Sequence, residues 1–465
     1  MKKLIPVVIA MLFLSQAWAE EIPSPIPEGS KGATFLQPPA SEKGLFKRYT
    51  DYMDQEIQKI DEMDLWGPGS TQLPEGYFSV KYQYNNRIAQ HRYDTFGNKI
   101  PIIPHISFNI DKDNYAIIDL GGDGAGGSHS FMLSYDLIGG YLDYYIELPF
   151  IYMDVTMRPR YLVKCSGLTC AGFYSILGLN DTGGKWEKMP ESFWQALRDL
   201  GRPKAQLHYS CQWEWQDINT GFSFNYHKSD WMSTSVTPKI YFPTGKIADP
   251  DRSIDFLLGP ELDKGTGGYA VALVSDYDFR IPSFKRLMFT GEFSIGYAFK
   301  HRRPTPHFLP QNQEKIQLLK DLGVWYDVAP YFPDLSNIGD HYYSTPGASY
   351  DASFAASFDF SVAALNVGYG YSFKSRPTIE SSSPEFTQFI YGLEIVGQSE
   401  SRFLSFALIT PALFALYIPA TVQFRYDIPV GGSNSLMFEN NWFLTIQTFV
   451  PITAAKVPAE KDKFR

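Results

Sequence analysis

From Tyr77 onward, hydrophobic and polar residues alternate with a period of two, the pattern of strands that are apolar on one face. Across residues 77–92, Phe78, Val80, Tyr82, Tyr84 and Ile88 share one face, and Ser79, Lys81, Gln83, Asn85, Arg87 and His91 share the other. Residues 205–216 set Leu207, Tyr209, Cys211, Trp213 and Trp215 against Gln206, His208, Ser210, Gln212 and Glu214. Residues 350–362, 365–374 and 420–428 repeat the arrangement with Phe354, Phe358 and Phe360, then Val367, Tyr369 and Tyr371, then Val422, Phe424 and Tyr426. A weaker alternation runs through 131–148, 151–163, 221–227, 232–242, 269–279, 287–299, 386–395, 402–418 and 436–450. Counting hairpin arms gives about sixteen strands (about 14–18), several of about ten residues, the length a tilted strand needs to cross a bilayer.

Before Tyr77 the period is different. Phe46, Tyr49, Met53, Ile57, Ile60 and Met63 recur every three or four residues between Gly44 and Leu65, which predicts an amphipathic helix that ends at Trp66-Gly67-Pro68. It follows a Pro-rich leader, the two together spanning residues 20–75, and would sit in the periplasm or plug the barrel. Met1-Lys2-Lys3, the apolar run Leu4–Leu14 and Ala17-Trp18-Ala19 form a cleavable export signal over residues 1–19, too short to span the hydrocarbon core. Residues 403–419 are the nearest approach to a membrane helix, but Pro411 interrupts them, and two strands joined near Pro411 fit better. The last strand ends near Val450-Pro451 and leaves a charged tail over 452–465.

These segments predict an all-β fold, a transmembrane antiparallel β-barrel over residues 76–451. A soluble β-sandwich also alternates, but its strands are shorter and it gives no reason for rings to gather at strand ends. Composition agrees with the barrel. Of 465 residues 16% are aromatic, and the mean hydropathy of −0.21 excludes a bundle of membrane helices while leaving a barrel open. Net charge is −9, moving to about −11 once Lys2 and Lys3 leave with the signal, which disfavours a nucleic-acid partner. Three cysteines build no disulfide framework, although Cys165 and Cys170 could pair locally in an oxidising compartment, free thiols being the other reading.

The polar faces carry formal charges: Lys81, Arg87, Glu214, Lys239, Asp276, Glu292, Asp359, Arg425 and Asp427. In a barrel they face a watered lumen, and Lys81, Arg87, Glu214, Lys239, Glu292, Asp359, Arg425 and Asp427 are the candidate pore-lining residues. The long connections 164–204, 243–267 and 300–348 could narrow that lumen or form an outer docking surface, and short helices are expected at 191–198 and 312–324. Motifs for covalent haem, zinc proteases, serine hydrolases and P-loops are absent, and Gly121–Gly127 reads as a hairpin loop with no helix behind it. No catalytic residue, metal or cofactor is expected. His129, between Ser128 and Ser130, is the one candidate for a lipid-modifying hydrolase on the barrel.

At Thr237-Pro238-Lys239-Ile240-Tyr241-Phe242-Pro243-Thr244-Gly245-Lys246, followed by Gly267-Gly268-Tyr269 and Asp276-Tyr277, the chain resembles the outer-membrane proteins of phenol meta-cleavage pathways, relatives of the long-chain fatty-acid transporters. The match covers about residues 234–300, and the intervening loop is longer than that family's pattern. The resemblance implies an outer-membrane channel for small hydrophobic or aromatic molecules, with outer-membrane lipid and the solute as partners. The format of signal, lead-in helix and large barrel is also similar to porin-like sheaths of multihaem cytochromes, which would make a cytochrome the partner and require a wide, unplugged bore.

Overall fold

A computed structural model describes Leu73 and residues 77–451, apart from 104, 139, 205, 230, 248, 252–262, 324, 361–362, 394–395 and 415–417. The signal, the leader, the expected helix at 44–65 and the tail lie outside the described residues. No helix among the described residues is long and apolar enough to cross a membrane.

The centre of the fold is a closed ring of twelve antiparallel strands. In chain order they are β1 (Tyr77–Tyr93), β2 (Asp123–Ile138), β3 (Leu142–Thr156), β4 (Ile218–Lys228), β5 (Met232–Phe242) and β6 (Ala270–Ile281). The ring continues with β7 (Phe284–Ala298), β8 (Ser349–Asp359), β9 (Ala364–Lys374), β10 (Ser399–Phe414), β11 (Ile418–Ser433) and β12 (Ser435–Pro451). Each strand pairs with its sequence neighbour, and β1 pairs with β12 from Tyr77↔Pro451 to Tyr93↔Ser435, so the sheet has no free ends. Closure satisfies the backbone groups that lipid cannot.

Twelve strands replace the expected sixteen for three physical reasons. Several strands are long, 15–17 residues in β1, β2, β3, β7, β10, β11 and β12, and take in stretches that alternation alone divides between arms. The expected break near Pro411 does not occur: the ladder of β10 with β11 continues through Pro411↔Thr421 to Phe414↔Ile418, a missing N–H near a strand end removing only one ladder donor. Some alternating segments lie outside the ring. His208–Trp215 pairs only with the outer half of β3, Arg160–Lys164 joins a small separate sheet, and 386–395 lies mostly in a helix.

Connections are tight at one end and long at the other. Two to four residues separate β2 from β3, β4 from β5, β6 from β7, β8 from β9 and β10 from β11 at the first end; more than twenty separate β1 from β2, β3 from β4, β5 from β6, β7 from β8 and β9 from β10 at the second. Short periplasmic turns and long outer loops orient such a barrel. At the outer end only β11–β12 is tight, turning on Asn434 in the left-handed region (φ 46°).

The outer loops fold into a cap. Strands Ile106–Asn109, Tyr115–Asp119, Arg160–Lys164 and Glu187–Lys188 form one sheet, covered by α1 (Leu168–Leu177), α2 (Glu191–Asp199) and α3 (Gln313–Asp321). Ile118, Val163, Phe173, Leu177, Leu200 and Leu319 make its dry core. A disulfide joins Cys165 to Cys170, which lies in α1, with Cα atoms 5.2 Å apart. A second unit packs strands His301–Pro304, His341–Thr345 and Thr378–Glu380 against α4 (Pro384–Gly392) around Leu335, Ile379, Phe386 and Ile390. Helix α4 begins on Ser383, whose hydroxyl accepts the Phe386 N–H at 3.2 Å, with Pro384 in the first turn.

Candidate functional site: the lumen and its outer mouth

The alternation decides what each strand shows to each side. Phe222, Phe224 and Tyr226 on β4, Phe289, Phe293 and Ile295 on β7, and Leu404, Phe406 and Leu408 on β10 are large, apolar and exposed on the outer face. Their neighbours Asn225, Ser235, Asp276, Ser357, Asn366 and Asp427 are buried and polar on the inner face. In water this would be inside out; in lipid it is the favourable arrangement. Rings gather at both rims of the apolar band. On the cap side Tyr84 lies 5.0 Å from His129 and 5.2 Å from Trp442, and Trp213 lies 4.6 Å from Tyr152. On the turn side Trp231 lies 5.8 Å from Phe279. Amphipathic rings belong at the lipid–water boundary. The chain is an outer-membrane β-barrel.

Inside, inward positions of well-separated strands converge. Lys81 of β1 interacts electrostatically with Glu147 of β3, Lys239 of β5, Glu292 of β7 and Arg425 of β11. Arg425 donates to Asp427 at 2.8 Å and lies over the Phe443 ring at 4.0 Å. Lys239 lies over Tyr145 at 5.6 Å, and the Ser235 hydroxyl donates to Asp276 at 3.2 Å. Ser130 and Asn219 both donate to Glu147, Asn219 through Nδ2 at 3.0 Å. Asp351 accepts from Ser372 at 2.6 Å and from Ser294 at 3.0 Å.

Of the eight charges expected to line the pore, seven lie on inner positions of the ring and Glu214 lies outside it; Lys81, Lys239, Glu292, Arg425 and Asp427 come together, while Arg87 and Asp359 stand apart toward its two ends. Arg87 lies over Phe438 at 4.9 Å, further toward the cap. Asp359 ends β8 at the turn side and interacts with Arg280. Glu214 is on His208–Trp215, outside the ring, and pairs with Lys264 at 2.5 Å. Glu147 and the polar residues Tyr145 and Asn219 were not singled out from the sequence, and Tyr241 was named only within the stretch 237–246. For Tyr145 and Glu147 the signal was the alternation of Asp143, Tyr145 and Glu147 with Tyr144, Ile146 and Leu148, blurred by an apolar stretch with rings on both faces.

The hydrolase candidate does not assemble. His129 faces outward, its Nδ1 2.6 Å from the Tyr82 hydroxyl and its ring 4.0 Å from Trp213. Ser128 and Ser130 point to the opposite face, where Ser130 serves Glu147. Neighbouring residues of one strand cannot form the serine–histidine pair.

At the outer mouth a cavity of about 500 Å³ lies between lumen and cap. Glu147, Asn219 and Tyr241 reach it from β3–β5, and Lys374, Ser399 and Asn434 from the other side of the ring. Loop residues Asp217, Asp263, Lys264, Thr266 and Arg303 complete it. Asp217 ties the loop down by accepting from the N–H of Gly245 at 2.9 Å and the N–H and hydroxyl of Thr266 at 2.6 and 2.8 Å. Arg303 pairs with Asp263 at 2.6 Å. Burial alone would lower the Lys264 ammonium, but hydrogen bonds with Glu214 and Tyr209 hold it above the ordinary lysine value. At the turn side Leu73 packs on Phe449 and Tyr77, and its N–H donates to Asp143 at 2.8 Å.

Neither a family model nor a curated relative matches the sequence. Solved structures do. The COG4313 outer membrane channel from Pseudomonas putida F1 is 12% identical with a TM-score of 0.44, over 83% of this chain and 99% of that one. A FadL homologue of Pseudomonas aeruginosa is 8% identical (TM-score 0.30) over 82% of this chain and 91% of that one. The CymD monoaromatic hydrocarbon channel is 9% identical (TM-score 0.31) over 84% and 92%.

Proposed function

We propose that the protein is a channel that passes small solutes across the outer membrane. One observation carries the reading: Glu292 faces inward yet is exposed, so water reaches the charged middle of the lumen. Water and charges of both signs inside a lipid-facing wall suit solutes that dissolve in water. The resemblance at residues 234–300 implies hydrophobic or aromatic cargo, whereas the lining supports polar cargo. The cytochrome-sheath alternative needs a wide, unplugged bore. Twelve strands, Lys81 and Tyr145 in the lumen and a cap cavity bounded by both walls give it no support.

Single-channel recording of the purified protein in planar bilayers tests the proposal. Discrete conductance steps are expected. A barrel that stays folded in detergent, shown by heat-dependent migration on a gel, yet gives no steps would overturn it.

A further inference from the structure

The charges around the mouth cavity are unevenly committed. Lys264 is paired with Glu214, Arg303 with Asp263, and Asp217 with three donors. Two sets of groups remain available on opposite sides. On the β3–β4 wall, Glu147 takes hydrogen bonds, among the described residues, only from the neutral donors Ser130 and Asn219, with Lys81 acting on it electrostatically. Asn219 is 4% exposed, and its Oδ1 has no partner among the described residues. The bond from its Nδ2 to Glu147 fixes which way the amide points, since the flipped form would set two acceptors together. A buried, unmatched acceptor is costly unless something donates to it. On the other wall, Lys374 ends β9, five strands from β4 in a ring of twelve, and has no carboxylate partner among the described residues.

We infer that this cavity is a binding site for a small zwitterion, an amino-carboxylate whose ammonium sits on Glu147 and Asn219 Oδ1 and whose carboxylate meets Lys374. The volume is within the range of small-molecule sites. An ammonium supplies the donor that Asn219 lacks and a charge complementary to Glu147. Neither a hydrocarbon nor a bare carboxylate does both. The inference deepens the channel reading and rests on it only for how the solute arrives.

The test uses the full mature protein and a matched series: 5-aminopentanoate, pentanoate, pentylammonium and 1,5-pentanediol. Binding is read by calorimetry in detergent, and current block in planar bilayers at moderate salt. The zwitterion should bind at least tenfold more tightly than either single-charge homologue, each charged hydrogen bond being worth about that factor or more. Lys374→Gln should weaken 5-aminopentanoate and pentanoate about tenfold and leave pentylammonium unchanged; Glu147→Gln should do the reverse. That double dissociation is one a general loss of folding cannot imitate. Equal affinity across the series, or equal effects of both variants on all ligands, would overturn the inference while steady conductance left the channel standing. Calorimetric binding with this pattern but no conductance would support the site and sink the channel.

Discussion

Replacing Lys81 with glutamate should turn the lumen toward cations. Around Lys81 the inner face presents Lys239 and Arg425 against Glu147, Asp276, Glu292 and Asp427. The exchange changes the local charge by two units. For a permeating ion at roughly 6 Å in a watered lumen, each unit contributes about 0.7 kcal/mol, so the substitution shifts a monovalent ion by about 1.4 kcal/mol. Cations gain and anions lose, so even with half of the effect screened by salt the permeability ratio should move about tenfold. Under a tenfold potassium chloride gradient, a pore that starts unselective should show a reversal potential displaced by roughly 40 mV toward the potassium value, a decade being worth 59 mV for a univalent ion. Lys81→Gln should give an intermediate displacement, and Arg87→Glu a smaller one because Arg87 lies apart, over Phe438. A reversal potential within a few millivolts of the parent for both Lys81 variants, with the barrel intact, would refute the placement of Lys81 in the conducting path.

Three further outcomes concern the cap. Phe173→Ala empties part of the cap core and should cost about 3–5 kcal/mol there, so limited proteolysis should cut the outer loops sooner while the barrel keeps its heat-dependent migration. Reducing the disulfide, or Cys165→Ser, opens a very short loop and should cost the cap about 2 kcal/mol, read by the same proteolysis, with little effect on conductance. His307 accounts for a pH dependence. Its hydrogen bond to Asp251, and then that carboxylate's charge, hold the imidazolium above its ordinary value, and the pair at 2.8 Å ties residue 251 to the 305–312 segment. With a raised folded value the tie is complete below the ordinary histidine value and fades as pH rises through the raised one. Proteolysis of the 243–269 loop should therefore be faster at pH 8.5 than at pH 6, and His307→Gln should remove the difference.

Much of the barrel was legible because a period of two is a direct image of a wall between lipid and water. Val367, Tyr369 and Phe424 are on the face their alternation assigns, as is Asn366 on the other. Once that face is fixed, Lys81, Lys239 and Arg425 must point inward. Their meeting was not legible, because it depends on which strands are opposite in the closed ring, and a miscount from twelve to sixteen would separate them. The expected helices at 191–198 and 312–324 appear as α2 and α3, where Glu191 and Glu314 occupy the first turns. Helix α4 was missed although Ser383-Pro384-Glu385 is a start signal, since Phe389, Tyr391 and Leu393 also pass for one face of a strand.

The strand count failed for a reason that bears on function. His208–Trp215 alternates as cleanly as any barrel strand, and its rings do reach the outer aromatic rim, Trp215 lying 3.9 Å from Phe150. Yet it pairs only with β3, and its inward Glu214 is spent on Lys264 of the 243–269 loop. The same period thus builds two structures, a membrane wall below and an extension of β3 above it that anchors a loop across the mouth. Alternation records which side of a sheet is apolar; it carries no record of where the membrane stops. What alternation leaves out is the shape of the mouth, where the tie of Asp217 to Gly245 and Thr266 holds both ends of that loop beside the cavity. Asp217→Ala should accordingly disturb block by 5-aminopentanoate while leaving the reversal potential set by Lys81 in place, because the anchor shapes the mouth and the ring shapes the path.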